Sequence, residues 1–249
     1  MKIALIGYGK MGQEIEKVAR KRGHSILLIL DNEEDWNRYG TKLDSADMAL
    51  EFSTPDSVLD NIRRCFNANI PVVVGTTGWH DDLEMIRQEC LSQNQTLFFS
   101  PNFSIGVNLF FELNRHLASV MAKWDNYEIS IEETHHIHKQ DAPSGTAIVL
   151  ANDIIRQIER KDKWVRETSD NPEELGIKSY RIENVPGTHL VRYESEMDVI
   201  EIIHTAKSRQ GFVMGAIMAA EWLIGKTGFF EMKDFLSSKE IALPDARKD

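Results

Sequence analysis

Lys2-Ile3-Ala4-Leu5-Ile6-Gly7-Tyr8-Gly9-Lys10-Met11-Gly12 is the stretch that decides the fold. An apolar run of strand type leads directly into G-x-G-x-x-G. The pattern then turns helical, with Met11, Ile15, Val18 and Ala19 on one face. A second apolar run at residues 26–30 ends in Asp31, where a dinucleotide-binding βαβ unit carries the acid that holds the ribose hydroxyls. In such a unit Gly7 makes the tight turn and Gly9 admits the pyrophosphate to the backbone. Gly12 lets helix and strand pack closely, and the helix N-terminus favours the phosphate charge. The glycine pattern alone is weak; the strand before it, the helix after it and the acid at the next strand end give it weight.

Working outward, apolar runs recur at residues 48–52, 72–74 and 97–99, with helical patterns at 57–66 and 82–91 between them. Strands alternating with helices predict a parallel sheet with right-handed crossovers. Short unbroken apolar runs, including 26–30, suit strands covered on both faces. These runs empty into Ser53-Thr54-Pro55, Gly75-Thr76-Thr77-Gly78 and Ser100-Pro101-Asn102. Small and polar residues at the carboxyl ends of parallel strands suit a cofactor crevice lined by backbone.

The pattern changes after about residue 104. Residues 108–121 read as a helix with Leu109, Leu113, Leu117 and Val120 inward. Tyr127, Ile129 and Ile131 alternate with Glu128, Ser130 and Glu132 as in a half-buried strand. A helix begins near Ser144, with Ala147, Leu150, Ala151, Ile154 and Ile158 on one face. Residues 161–176, charged and interrupted by Pro172 and Gly176, are expected as a surface loop. Further strands are expected at 179–184, 189–194 and 198–204. The apolar helix at 215–225 is expected to return to the first sheet. The fold class is therefore α/β: a Rossmann-type parallel-sheet domain from residues 1–104 and 211–249. An α+β substrate-binding and oligomerisation domain with an open mixed sheet occupies 105–210.

Bulk properties narrow the function classes. A chain of 249 residues with 42% hydrophobic and 27% charged residues has ordinary globular composition and can bury a real core. No apolar run approaches bilayer length, and the amino terminus reads as a strand rather than a secretory leader. The two cysteines, Cys65 and Cys90, form no paired motif and suit reduced thiols in the cytoplasm. A net charge of -10 argues against nucleic acid or an anionic membrane as partner. An anionic small molecule stays compatible with that charge if basic residues gather at one place.

They gather at Glu132-Glu133-Thr134-His135-His136-Ile137-His138-Lys139-Gln140-Asp141-Ala142-Pro143-Ser144-Gly145-Thr146. Ser144, Gly145 and Thr146 would present free backbone N–H groups at a fresh helix start, a nest suited to a carboxylate. His136 and Lys139 would add positive donors. Three readings compete. A zinc site has histidines enough, but the spacing matches no zinc motif and Lys139 opposes a metal charge. A solvated histidine cluster is the second. The third is an acid/base and anion-binding site, since histidine titrates near neutrality and lysine is tuned by burial. The expectation is no metal.

These motifs together resemble the dihydrodipicolinate reductase family, nearly along the whole chain. The resemblance includes the glycine loop, Phe52-Ser53-Thr54-Pro55, Gly75-Thr76-Thr77-Gly78 and Asn102-Phe103-Ser104-Ile105-Gly106-Val107-Asn108. It continues through the His-rich loop with its Pro-Ser-Gly-Thr turn, Gly187-Thr188-His189, Ile200-Glu201-Ile202-Ile203-His204 and Ser208-Arg209-Gln210-Gly211-Phe212. The resemblance implies NAD(P)H-dependent reduction of 4-hydroxy-tetrahydrodipicolinate to tetrahydrodipicolinate, in lysine and diaminopimelate biosynthesis. It implies His135 as the acid/base residue and Lys139 as proton donor. It places His136, Ser144, Gly145 and Thr146 on the substrate carboxylates. Gly7, Tyr8, Gly9, Lys10, Met11, Gly12, Asp31, Gly75, Thr76, Thr77, Ser100, Pro101, Asn102, Phe103, Arg209 and Phe212 are implied at the cofactor. A cytoplasmic homotetramer, hinged between two domains, is implied as well.

Other readings share the glycine loop: a dehydrogenase acting on another substrate, such as a sugar, or a non-catalytic NAD(P)H sensor. A sensor would not need His135 and Lys139 beside a carboxylate nest. Two features depart from the family pattern. The glycine loop is one residue shorter than in many relatives, with Lys10 where arginine is usual. The segment 32–47 is shorter than in longer members. Both lie on the cofactor side and leave the reaction class intact. Asp31 repels a 2′-phosphate and Asn32 offers it no full charge, so NADH is expected to be preferred, with NADPH also accepted.

Overall fold

The computed structural model describes residues 1–208 and 210–238. The chain opens with β1 (Lys2–Ile6), α1 (Lys10–Lys21) and β2 (Ser25–Leu30). α2 (Glu33–Tyr39) and a 3-10 turn (Gly40–Ser45) lead to β3 (Met48–Glu51). α3 (Val58–Asn67), β4 (Val72–Val74), α4 (Leu83–Ser92) and β5 (Thr96–Phe99) continue the alternation. Then come α5 (Ile105–Met121), β6 (Glu128–His135), α6 (Gly145–Ile155), β7 (Lys163–Arg166), β8 (Glu174–Arg181), β9 (Gly187–Glu194) and β10 (Val199–Ala206). α7 (Gln210–Leu223), β11 (Gly228–Phe230) and α8 (Met232–Ser237) follow. One compact unit joins Met1–Ile105 to the chain from Gln210 onward; the other begins at Gly106 and runs up to that return. No described helix is long and apolar enough to cross a membrane.

In the first unit the strand order is β11-β5-β4-β3-β1-β2, and every pair is parallel. The chain steps outward from β1 to β2, then crosses back over β1 to β3. That reversal puts successive helices on opposite faces. Ile15 and Ala19 of α1 and Ala216, Ile217 and Ala220 of α7 pack with Ile3, Leu5, Leu50 and Phe98 on one face. Val58, Ile62 and Ile86 of α3 and α4 pack with Ala4, Ile6, Val72 and Val74 on the other. Parallel strands share one carboxyl edge, so Gly7, Asp31, Ser53, Gly75 and Ser100 all fall at the edge where such sheets bind ligands.

β2 lies at the sheet edge and is still covered on both faces: Leu28 and Leu30 join one core and Ile26 and Ile29 pack against the other, with Ser25 and Leu27 exposed. The segment after it folds as α2 and the 3-10 turn, and among the described residues no further strand pairs with that edge. The return helix α7 lies against the chain at Phe103. A Cβ on Gly215 would stand 1.8 Å from the Phe103 carbonyl oxygen, so only glycine permits this approach.

The second unit carries a mixed sheet of order β10-β9-β6-β8-β7. β6, β7 and β8 run parallel, and β9 runs antiparallel to both β6 and β10. Its core packs Phe110, Ala118 and Met121 of α5 and Leu150 and Ile154 of α6 on Ile129, Ile131, Ile177, Val191 and Tyr193. The opposite sheet face borders a hollow of about 450 Å³ lined by Ser130, Glu132, Lys178 and Arg192 among others.

Of the leucine stripe of α5, Leu117 packs against the core, while the main inward face is a different one. Val107, Phe110, Asn114, Ala118 and Met121 face inward. Leu109, Leu113 and Val120 are 48%, 58% and 47% exposed. The helix has two apolar stripes, and periodicity alone does not rank them. The buried stripe contains Asn114, whose Nδ2 is satisfied by donating to the Leu150 carbonyl at 3.1 Å. The expected loop at 161–176 also contains structure: β7 occupies Lys163–Arg166 and β8 starts at Glu174. Lys161 supports this edge from within, its Nζ donating to the Glu174 carbonyl at 2.9 Å.

Candidate active site

Strand alternation puts Ile129, Ile131, Glu133 and His135 of β6 on the same inward face. Pairing register places Ser179 of β8 and His189 of β9 beside Glu133, and Arg181 of β8 beside His135. Glu133 is 1% exposed and His135 8%. The Glu133 carboxylate accepts the Ser144 backbone N–H on both oxygens at 3.1 Å and the Ser179 hydroxyl at 2.8 Å. His135 Nδ1, Arg181 Nη1 and His189 Nε2 stand 3.6, 3.6 and 3.7 Å from it. The His135 and His189 rings meet edge to face with centroids 5.0 Å apart.

This environment separates the charge states of its members. Burial pushes the Glu133 carboxyl up, but hydrogen bonds from Ser144 and Ser179, with His135 nearby, hold it below the usual carboxylate range. Burial pushes His189 down to about 3, with His135 adding to the effect, so His189 stays neutral. Burial lowers His135 too; the Glu133 charge opposes this, and Lys139 and Arg181 reinforce it.

The loop after β6 carries the remaining groups. The Lys139 ammonium pairs with Asp141 at 2.8 Å. Arg181 fastens this loop, donating to the carbonyls of Lys139 at 3.3 Å and Asp141 at 2.6 Å. His136 stands apart from the Glu133 cluster; with His138, Glu183 and Pro186 it lines a hollow of about 270 Å³.

The expected three-residue nest is smaller than the sequence suggests. Ser144 is the N-cap of α6: its N–H is taken by Glu133, and its hydroxyl accepts the Ala147 N–H at 3.2 Å. The amides at Gly145 and Thr146 lie in the first turn and have no intrahelical partner. A Cβ on Gly145 would meet nothing within 4 Å, so that side of the turn is open.

Glu133, His135 and His189 bring one ligand atom each within 4.8 Å of one another. The donor set nevertheless fits a metal poorly. The carboxylate is already bonded to Ser144 and Ser179, and the Arg181 cation sits beside it.

In the first unit the glycine loop has the shape a dinucleotide needs. Gly7 has φ +85°, and a Cβ there would lie 2.4 Å from the Phe52 carbonyl oxygen. A Cβ on Gly12 would lie 2.4 Å from the Gly7 carbonyl oxygen, whereas one on Gly9 would meet nothing within 4 Å. α1 begins at Lys10 with no side-chain cap and no acid in its first turn, leaving its amides to an anion. Asp31 Oδ1 accepts the Tyr8 backbone N–H at 2.5 Å. Met11 is half-buried and joins the core.

At the neighbouring strand ends a Cβ on Gly75 would strike the Phe52 ring at 2.0 Å. Thr76 is buried and Thr77 exposed. Ser100 Oγ donates to the Asn102 carbonyl at 2.7 Å and accepts the Asn102 N–H at 3.1 Å, shaping the turn around exposed Pro101. Phe103 is 3% exposed and packs on Phe52 and Phe98, so its ring supports the turn instead of presenting a surface. Phe212 is half-buried in the first turn of α7. Arg209 lies outside the described residues.

Sequence reasoning gave no role to Glu133, His189, Ser179, Arg181 or Asp141 in the second unit, or to Glu51 in the first. Glu51 is buried at the end of β3, bonded by Ser53 and by Asn61 Nδ2 at 3.2 Å, and burial raises its carboxyl.

Comparison with known sequences resolves the family. The family model described as "Dihydrodipicolinate reductase, N-terminus" matches residues 1–103, and "Dihydrodipicolinate reductase, C-terminus" matches residues 106–236. The chain belongs to the dihydrodipicolinate reductase family. A relative from Christiangramia forsetii, named 4-hydroxy-tetrahydrodipicolinate reductase, is 49% identical over 95% of this chain and 98% of its own. One of the same name from Archaeoglobus fulgidus is 34% identical over 95% of this chain and 100% of its own. The solved dihydrodipicolinate reductase of Paenisporosarcina sp. TG-14, with dipicolinate bound, has TM-score 0.72 and 21% identity. It covers 93% of this chain, and this chain 97% of it; at that identity the likeness speaks for the fold. The family's C-terminal model spans the whole Glu133 cluster, and its N-terminal model spans the glycine loop.

Proposed function

We infer that this chain is an NAD(P)H-dependent oxidoreductase that reduces 4-hydroxy-tetrahydrodipicolinate to tetrahydrodipicolinate in lysine and diaminopimelate biosynthesis. The observation that carries the site assignment is the shared Glu133 carboxylate, which joins His135 to the amide-presenting turn at Ser144. The substrate's hydroxyl is absent from the product, so the net reaction takes up a hydride and a proton and releases water.

The glycine loop, Asp31 and the strand ends at Gly75 and Ser100 would hold the dinucleotide, which supplies the hydride when bound. In the second unit the amides of Gly145 and Thr146, with the Thr146 hydroxyl, bind a substrate carboxylate. His136 adds a ring donor and Lys139 a cation for a dianionic ligand. His135 holds the proton delivered to the reacting ring, and Lys139 is the second donor, kept in place by Asp141 and by Arg181 on its loop. His189, neutral at working pH, shapes the cluster without exchanging protons.

The preferred cofactor is NADH. Asp31 is exposed at the end of β2, and the first turn of α2 carries Glu33, Glu34 and Asp35. Asn32 Oδ1 accepts the Asp35 N–H at 3.0 Å, and Asp35 Oδ2 accepts the Asp31 N–H at 3.0 Å. A 2′-phosphate at this ribose position would meet acids on a helix whose N-terminus is already capped. Lys10 is the loop cation that lets NADPH serve as well.

The enzyme acts as a homotetramer in the cytoplasm. Val199 and Ile203 on β10 and the leucine stripe of α5 offer exposed apolar surface for contacts between copies. Light scattering tests the assembly state. The function itself is tested by steady oxidation of NADH when the purified chain receives the fresh product of the preceding synthase. No oxidation above the enzyme-free rate would contradict it.

A further inference from the structure

We propose that Glu133 is a positioning residue for the reduction: its carboxylate sets the tautomer of His135, with a proton on Nδ1 and Nε2 left for exchange, and ties that orientation to the substrate-binding turn. The inference rests on the reading of His135 as the proton-carrying group.

The position of Glu133 is costly without such a role. It continues the inward row Ile129, Ile131, where an apolar side chain would pack without desolvating a charge. Instead a fully enclosed carboxylate faces His135 Nδ1 at 3.6 Å. That distance is too long for a hydrogen bond and short enough for a strong charge interaction. A lone pair on Nδ1 would point at the anion, whereas an N–H there points a positive edge at it. The other ring nitrogen looks elsewhere: Nε2 lies toward Gly187, where an added Cβ would come within 3.1 Å of it. Glycine at that point keeps Nε2 unobstructed.

The same carboxylate grips the Ser144 N–H with both oxygens. His135 and the first turn of α6 are thus referenced to one buried group, though they lie on different elements. The charged and titratable groups facing His135 are Glu133 on β6, Lys139 and Asp141 in the following loop, Arg181 on β8 and His189 on β9. Glu133 and Asp141 favour the imidazolium; Lys139 and Arg181 oppose it. Glu133 heads the favourable side and is the enclosed member.

Two measurements test this. Nitrogen-15 NMR of histidine-labelled wild-type protein reads the tautomer directly. The neutral His135 ring is expected to carry its proton on Nδ1; a proton on Nε2 would overturn the inference whether or not any variant folds. The second is the pH–rate profile of Glu133→Gln beside Glu133→Asp. Delivery requires protonated His135, so the rate falls as pH rises through its pKa. Without the Glu133 charge that pKa drops, and the descending limb moves to lower pH by about one unit. Turnover falls by about two orders of magnitude, in the range of lost orienting carboxylates. NADH affinity stays unchanged. Glu133→Asp keeps the charge and so keeps the limb, while its shorter reach raises the substrate KM.

A folded Glu133→Gln whose limb stays in place would overturn the positioning role even if its melting temperature dropped. His135→Gln run alongside separates the two ideas. Normal turnover there removes the reading of His135 and this inference with it. Lost turnover there, with an unmoved limb in Glu133→Gln, removes this inference alone.

Discussion

The backbone N–H of Ser144 donates to both carboxylate oxygens of Glu133, at 3.1 Å each. Two consequences follow for ligand binding. The first turn of α6 is tied to the end of β6, and the amides left for an anion begin at Gly145 rather than at Ser144.

A planar pyridine dicarboxylate is therefore expected to compete with substrate by contacting Gly145 and Thr146. Thr146→Val keeps the side-chain shape and removes the hydroxyl donor. Affinity should fall roughly 5- to 30-fold, the cost of about 1–2 kcal/mol for an unpaired buried oxygen. Calorimetric titration measures it, and an unchanged affinity would place the dicarboxylate elsewhere.

Cofactor choice is expected to depend on Asp31. The wild type should show a lower KM for NADH than for NADPH, and Asp31→Ala should narrow the difference. The acids of α2 remain in that variant, so the preference should shrink without reversing. A wild type that favours NADPH would mean that Lys10 outweighs the whole acidic turn.

Two glycines should separate folding from binding. A Cβ at Gly215 would press on the Phe103 carbonyl, so Gly215→Ala should cost about 1–3 kcal/mol of stability by overpacking. A Cβ at Gly9 meets open space, so Gly9→Ala should melt near the wild-type temperature yet bind NADH more weakly. Equal NADH affinity in folded Gly9→Ala would show that the pyrophosphate does not approach this backbone.

Much of the first unit was legible because its signals are local. The run at residues 2–6, the glycine turn and the acid at residue 31 each constrain the chain over a few residues. The α5 stripe is ambiguous in the sequence because Leu109 and Phe110 each start a largely apolar face at helical spacing, and only packing with Leu150 and Ile129 selects the one that carries Asn114. β7 is hidden in the sequence because an edge strand as short as Lys-Trp-Val-Arg, flanked by charges, has the composition of a loop. Glu133 carried a readable signal. The alternation that turns Ile129 and Ile131 inward also turns Glu133 and His135 inward, and an acid on a buried face needs partners. Those partners, Ser179, Arg181 and His189, come from two other strands, and sheet register alone brings them together.

The central claim is that this chain is a reductase whose proton passes through His135. The most direct measurement is steady-state turnover of purified, folded His135→Gln with NADH and the synthase product. Glutamine keeps a polar side chain and loses the titrating proton. The account predicts that kcat falls by about two to four orders of magnitude, the usual worth of general acid–base help. KM should move far less, because the interaction is made chiefly in the transition state. NADH affinity should match the wild type. Wild-type turnover in that variant would contradict the account.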